Sequence, residues 1–471
     1  MKYASVFLCL SVVTVQLASW AGGDADLARF AAVKEAQARE FVAELTNKVP
    51  DITWSFFDAV KVDDWETATN LGTRLERASG RYAYSEKKEF SEALHSPVWQ
   101  TISETYGAYE LFHNWDRKWL RRFGKNIIEA IPQGSIYFGG TDSGRYLITL
   151  FCESQREGKP FFTITQNQLA DGTYLEYVRK LYGKKIYVAS EADSQKAFEA
   201  YLADAQTRLQ TGKLKPGEDV RIIDNKVQVS GQVAVMTING LIAKVIVEKN
   251  SDREIFIEES FPLDWMYPHL TPSGVIMKIN RKPLPVLSEE ILDRDHYFWS
   301  QYSERLIGNW ITYDTSVKEI AAFVEKTYLR RDFTGFKGDR KFVRDDQAQK
   351  AFSKLRSSIA GIYAWRLGMN GAPITKDQQA CLPKTQAEKD RLLKEADFAF
   401  KQAFAFCPYS PEAVFRYMQV LLSANRLDDA ILVVETAQKL DPYNGQLGDT
   451  LKKLQSFRSN APKAAENISK L

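Results

Sequence analysis

The chain has 471 residues, with 63 basic and 60 acidic side chains and a net charge of +3. That near balance excludes the strong basic excess of a dedicated nucleic-acid binder. Hydrophobic residues make up 44% and charged residues 26%, which excludes bulk disorder; the length suggests about three domains.

Residues 1–21 stand apart. Lys2 precedes an apolar run over residues 6–17 (VFLCLSVVTVQL), and Ser19-Trp20-Ala21 puts small groups at a cleavage position. This is the pattern of a secretory signal peptide removed after Ala21. The run is shorter than the ~20 residues of a spanning helix, which argues against an uncleaved anchor. The mature chain is therefore expected in the periplasm or cell envelope and not as an integral membrane protein. The most apolar later stretch, residues 233–247, is interrupted by Asn239 and Lys244 and reads as a buried helix.

Residues 22–131 form a predicted helical region. Helical periodicity runs over 24–46, 54–60, 65–78 and 96–131. Ser96 and Pro97 suit a helix start, and the basic run 117–125 (RKWLRRFGK) reads as a solvated helix face. The character changes at Pro132. Over 132–285, predicted strands at 135–138 (SIYF), 160–165 (PFFTIT), 185–189 (KIYVA), 227–229, 254–257 (EIFI) and 274–279 (GVIMKI) alternate with helices at 145–156, 173–182 and 194–209. Residues 213–224 read as a polar connector. Such alternation predicts a mainly parallel sheet. Residues 286–384 are a helical linker region, with helices at 288–310, 316–328 and 347–367 and a Gly/Pro loop at 370–384. A repeat region follows over 385–458, and residues 459–471 read as a polar, frayed tail. The fold class is thus mixed: a central α/β domain flanked by all-α helical hairpins.

The best site candidate is the loop Gly139, Gly140, Thr141, Asp142, Ser143, Gly144, Arg145 between the first strand and its helix. Ligands of parallel α/β sheets bind at strand carboxyl ends, glycines allow close backbone approach, and a helix N-terminus attracts anions. Asp142 could contact a metal, a hydroxyl or a sugar, and Arg145 a phosphate or carboxylate. The competing reading makes Asp142 or Ser143 a helix cap and the glycines a turn. Asn167 and Asp171-Gly172 could face the same crevice. Glu258 and Glu259 are adjacent, so strand alternation predicts that they point to opposite faces and cannot work as a pair. The four histidines (His95, His113, His269, His296) form no metal-ligand pattern, and no metal or other cofactor is expected. Cys152, Cys381 and Cys407 have no disulfide spacing and read as buried thiols.

Two resemblances follow from particular residues. Ala396, Ala403 and Pro408 recur as Ala430, Ala437 and Pro442, each 34 positions on. This spacing resembles tetratricopeptide repeats, one and a half to two units, with Tyr363 and Trp365 on a first helix and an insertion before Thr385. The resemblance implies a surface that holds a protein partner. Residues 135–145 (SIYFGGTDSGR), 166–184 (QNQLADGTYLEYVRKLYGK) and 239–259, running into 274–279, resemble the soluble region of bacterial multi-spanning proteins related to O-mannosyltransferase-like membrane glycosyltransferases. In that family the corresponding loop is rich in acidic residues; here only Asp142 remains. The resemblance implies a glycan-related setting, the transfer chemistry of that family belonging to its membrane part. Together these readings lead to the expectation of an exported binding or assembly protein. Its repeats hold a protein partner, and its α/β domain takes a small anionic or glycan-like ligand at the 139–145 loop. The alternative is a transferase or hydrolase acting on carbohydrate or a phosphorylated carrier through the same loop.

Overall fold

The computed structural model describes residues 24–81, 90–183, 185–215, 217–223, 226–259 and 265–468. The expected signal peptide lies outside them.

The N-terminal helices are α1 (Ala25–Val42), α2 (Ile52–Lys61), α3 (Trp65–Ala78), α4 (Val98–Asn114) and α5 (Arg117–Glu129). The predicted stretch 96–131 is split in two. The chain is extended at Trp115, and the Asp116 carboxylate caps α5 by accepting from the Lys118 N–H at 2.9 Å. The aromatic residues of this stretch pack inward, with Trp99, Tyr109, Phe112, Trp115 and Trp119 buried.

The α/β part comprises β1 (Ile136–Gly139), α6 (Ile148–Phe151), β2 (Phe162–Thr165), α7 (Gly172–Tyr182), α8 (Glu191–Gln210), β3 (Asp219–Ile223), β4 (Lys226–Ser230), α9 (Gly231–Lys249), β5 (Ile255–Ile257), β6 (Leu270–Ser273) and β7 (Ile276–Ile279). Among the described residues β2-β1-β5-β7-β6 form one sheet and β3-β4 a separate hairpin. β1 pairs in parallel with β2 and β5, whereas β7 pairs antiparallel with β5 and β6. The sheet is therefore mixed, parallel only where helical crossovers connect its strands. β1, β2 and β5 are buried along their length, as parallel strands covered on both faces must be.

Three strand expectations change. Residues 185–189 form no strand and take no part in the sheet. The Asn250 side chain takes up the main-chain groups of Tyr187 instead, accepting from its N–H at 2.8 Å and donating to its carbonyl at 3.0 Å. The expected connector 213–224 contains β3. β6 carries Pro272, a residue that argues against a central strand and is tolerated because β6 is an edge. α9 is long and apolar enough to cross a membrane by length and composition, and 44% of its apolar window is buried in the protein.

The remaining helices are α10 (Glu289–Leu306), α11 (Val317–Val324), α12 (Asp346–Arg366), α13 (Lys376–Cys381), α14 (Gln386–Phe406), α15 (Pro411–Ser423), α16 (Leu427–Leu440) and α17 (Gly445–Ile468). α17 continues through most of the expected frayed tail. α12 lies along α14, and α14 to α17 pack each against the next. Ala396, Ala403, Ala430 and Ala437 are fully buried, where small side chains let helices approach closely. One hydrophobic cluster runs from Leu27 to Leu454 and joins the helical and sheet parts. Cys152, Cys381 and Cys407 are unpaired and buried, as their spacing leads one to expect.

Candidate functional site

The strand order places a crevice at the carboxyl ends of β1 and β5. From β1 the chain turns one way to β2; β5 lies on the other side of β1. This reversal is the topological switch point at which ligands bind in parallel sheets. Three strand ends converge there: residues 140–143 after β1, Gln166 and Asn167 after β2, and Glu258 and Glu259 after β5.

The loop after β1 forms a set of donors, and the chain itself fills it. Glu258 Oε2 accepts from the Gly140 and Thr141 N–H groups at 2.9 and 3.0 Å, and the Thr141 hydroxyl donates to Glu258 Oε1. The Gly144 N–H donates to Thr141 Oγ1 at 2.8 Å. Two glycines make this packing possible. A Cβ at Gly144 would lie 1.7 Å from Glu258 Oε2, and one at Gly139 would lie 2.8 Å from the Gly144 carbonyl oxygen. The following helix opens with a π turn over Ser143–Leu147. Burial raises the Glu258 pKa, against the opposing pull of the Thr141 and Gly140 hydrogen bonds.

Asp142 does not cap this helix. Its side chain makes no cap hydrogen bond, is 71% exposed, and pairs with Arg145 at 2.9 Å. Arg145 also donates to the Tyr146 hydroxyl and stacks 4.2 Å from the centre of its ring. Asp171 is the cap of α7, accepting from the Thr173 N–H at 2.9 Å, and pairs with Arg81.

Glu259 corrects the expectation drawn from strand alternation. β5 ends at Ile257, so Glu258 and Glu259 lie past the region where side chains alternate. Both are buried, and the charge of Glu258 acts on Glu259, although Glu258 holds the loop donors and Glu259 holds Lys354. Glu259 Oε2 lies 3.2 Å from Lys354 Nζ of α12, and the same ammonium lies 3.3 Å from Glu412 Oε1 in the first turn of α15. Burial, then the charge of Glu258, pushes the Glu259 carboxyl up to about 7 against the attraction of Lys354. Glu412 goes the other way: burial opposes ionisation, but Lys354 and the Ser410 hydroxyl outweigh it and hold its pKa below the ordinary value.

An open cleft of ≈ 450 Å³ lies between these groups, with Thr141, Asp142 and Ser143 on one wall, Asn167 and Glu259 at the strand ends, and Lys350, Lys354 and Glu412 on the helical wall. The sequence located the loop but missed the helical wall, because Lys354 and Glu412 lie far along the chain and carry no local motif. The acidic pair directly after a β-rich run was the one available signal for Glu258 and Glu259. Among the described residues no group of three or more His, Cys, Asp or Glu is placed to hold a metal ion. The chain matches no known family model, and no curated protein or solved structure is significantly similar to it.

Proposed function

We propose that the chain is an exported binding and assembly protein of the cell envelope. It holds a small ligand in the cleft between β1, β5, α12 and α15, and a protein partner on the helical repeat surface of α14 to α17. The observation that carries this reading is the cleft's position. It opens at the switch point of the sheet and is closed on its other side by α12 and the start of α15, so a ligand there touches both parts of the molecule. The successive packing of α14 to α17 around alanines spaced 34 apart supports a repeat-like partner surface. Export rests on the N-terminal pattern and is tested by mass spectrometry of the mature N-terminus, expected at Gly22. The ligand is tested by thermal shift of the full chain with neutral sugars, amino sugars, sugar phosphates and inorganic phosphate. A stabilising shift with any of them supports the cleft. No shift with any of them at millimolar concentration would remove the ligand-binding part of the reading.

A second reading, a transferase or hydrolase acting on carbohydrate, is favoured by one observation: the pKa values of Glu259 and Glu412 move in opposite directions on the two sides of one lysine. Such divergence suits a proton donor and a proton acceptor. Turnover of glycoside substrates lost in both Glu259→Gln and Glu412→Gln would replace the binding reading with this one.

A further inference from the structure

Resting on the cleft reading, we propose that the ligand is a saccharide recognised through its hydroxyl or ammonium donors, received by Glu259 Oε1 and Asn167 Oδ1, and that the site does not take an anion through the loop amides.

Four main-chain donors of the loop, the N–H groups of Gly140, Thr141, Gly144 and Arg145, are engaged within the chain. The Gly140 and Thr141 N–H groups hold Glu258, the Gly144 N–H holds Thr141 Oγ1, and the Arg145 N–H donates to the Thr141 carbonyl at 2.9 Å. The two lysines lining the cleft are also paired, Lys354 with Glu259 and Glu412 and Lys350 with Asp346 at 2.6 Å, and Arg145 beside the loop pairs with Asp142. An incoming phosphate would have to displace a carboxylate that the fold already supplies.

What the cleft offers instead is acceptors. Glu259 is 5% exposed, and its Oε1 has no hydrogen-bond partner among the described residues. Asn167 donates from Nδ2 to the Gly140 carbonyl at 3.0 Å, which sets the amide orientation and leaves Oδ1 buried and unpartnered. A buried acceptor without a donor costs roughly 1–3 kcal/mol, and a ligand that brings donors recovers it. Both residues line the same cleft, with Ser143, Gln347 and Ser410 also along its walls for further hydroxyls.

The groups facing Glu259 are Glu258 from its own strand end, Tyr137 of β1, whose buried phenol stays protonated, Lys354 from α12 and Glu412 from α15. With Oε2 turned to Lys354, a proton on Glu259 sits on Oε1 and converts the acceptor into a donor. Because this carboxyl titrates at about 7, binding strengthens as pH rises through neutrality.

Titration calorimetry on the full chain tests this with D-glucose, D-glucosamine, glucose 1-phosphate and inorganic phosphate at pH 6 and pH 8. A neutral sugar source and an ammonium source are separated by the first two. The expected result is binding of at least one of them, about tenfold tighter at pH 8 than at pH 6 as Glu259 ionises. Glu259→Gln, which keeps its oxygen for Lys354 and turns its NH2 to the cleft, is expected to abolish binding and the pH dependence together. Asn167→Ser, at a partly exposed position, is expected to weaken binding by about tenfold with only the small loss of melting temperature that the missing Gly140 hydrogen bond brings, so the inference does not hang on one buried substitution. Binding of phosphate or glucose 1-phosphate alone, or sugar binding indifferent to pH and to both substitutions, would overturn the saccharide assignment and leave the cleft standing. No binding of any of the four would overturn both.

Discussion

Gly144 carries a hydrogen where any other residue would carry a carbon 1.7 Å from Glu258 Oε2. Gly144→Ala should therefore expel the Glu258 carboxylate from its donors. The expected cost is about 2–3 kcal/mol, the price of leaving buried N–H groups unsatisfied, read by urea denaturation; a change below about 0.5 kcal/mol would mean that the carboxylate is not held there. Glu259 makes a prediction with a definite sign. Its pKa rises from 4.5 to about 7 on folding, so over that window the folded chain keeps a proton that the unfolded chain has released. Stability then falls as pH climbs from about 4.5 to about 7 and stays lower above it. Glu259→Gln removes this dependence and should be more stable than the parent at pH 8 by of order 3 kcal/mol, with little difference at pH 4.5. A parent that is equally stable at both pH values relative to the variant would sink this assignment. A residue that destabilises the fold at neutral pH while facing a cleft is what a functional site retains. At this scale the glycine loop was legible in Gly139, Gly140 and Gly144. The occupant was not legible, because Glu258 reaches the loop from 118 positions along the chain.

Among the elements, α10, α12 and α14 are joined by a buried polar cluster. Arg356 of α12 pairs with Asp295 of α10 at 2.8 Å and donates from Nε to Gln402 of α14 at 2.8 Å, while the Tyr363 hydroxyl also donates to Asp295 at 2.8 Å. Both charged side chains are essentially without solvent contact. Removing one partner strands the other, so Arg356→Met should cost about 3–5 kcal/mol. The double variant Asp295→Leu with Arg356→Met should recover most of that loss, because two apolar groups need no partners. Chemical denaturation of the three proteins checks both statements; a double variant as unstable as the single one would show that the pair itself is required. The helices themselves were legible as elements, since α3 spans the predicted residues and α10, α12 and α14 start at Ser288, Asp345 and Thr385, whose side chains accept main-chain N–H groups. The basic run of α5 was legible too: its apolar residues Trp119, Leu120, Phe123 and Ile127 are buried, while Arg121 pairs with Asp24 and Lys118 with Asp339.

For the whole molecule, the continuous core from Leu27 to Leu454 implies cooperative unfolding. Calorimetry should show one main transition; two well-separated transitions would mean that the sheet part and the helical part hold together independently. The same core predicts the effect of truncation. A chain ending at Lys384 loses α14, against which α12 buries one face, and loses Glu412 from the cleft. It should fail to give a folded, cooperative species by circular dichroism and thermal melting.

By itself the sequence determined the elements and their kinds: helix starts, buried strand runs, the glycine loop and the 34-residue spacing of small residues. These are local properties, set by side-chain periodicity, caps and backbone freedom within a few residues. Tertiary structure decided the rest. It turned half of an expected parallel sheet antiparallel, gave residues 185–189 to the Asn250 side chain, and filled the loop donors with Glu258. It also carried Lys354 and Glu412 to Glu259 and moved the pKa values of the two carboxyls apart. The antiparallel pairings of β5, β7 and β6 join residues 3 to 24 positions apart; the other outcomes depend on contacts between residues more than 50 positions apart, and the energy of burying a charge depends on which partners arrive with it.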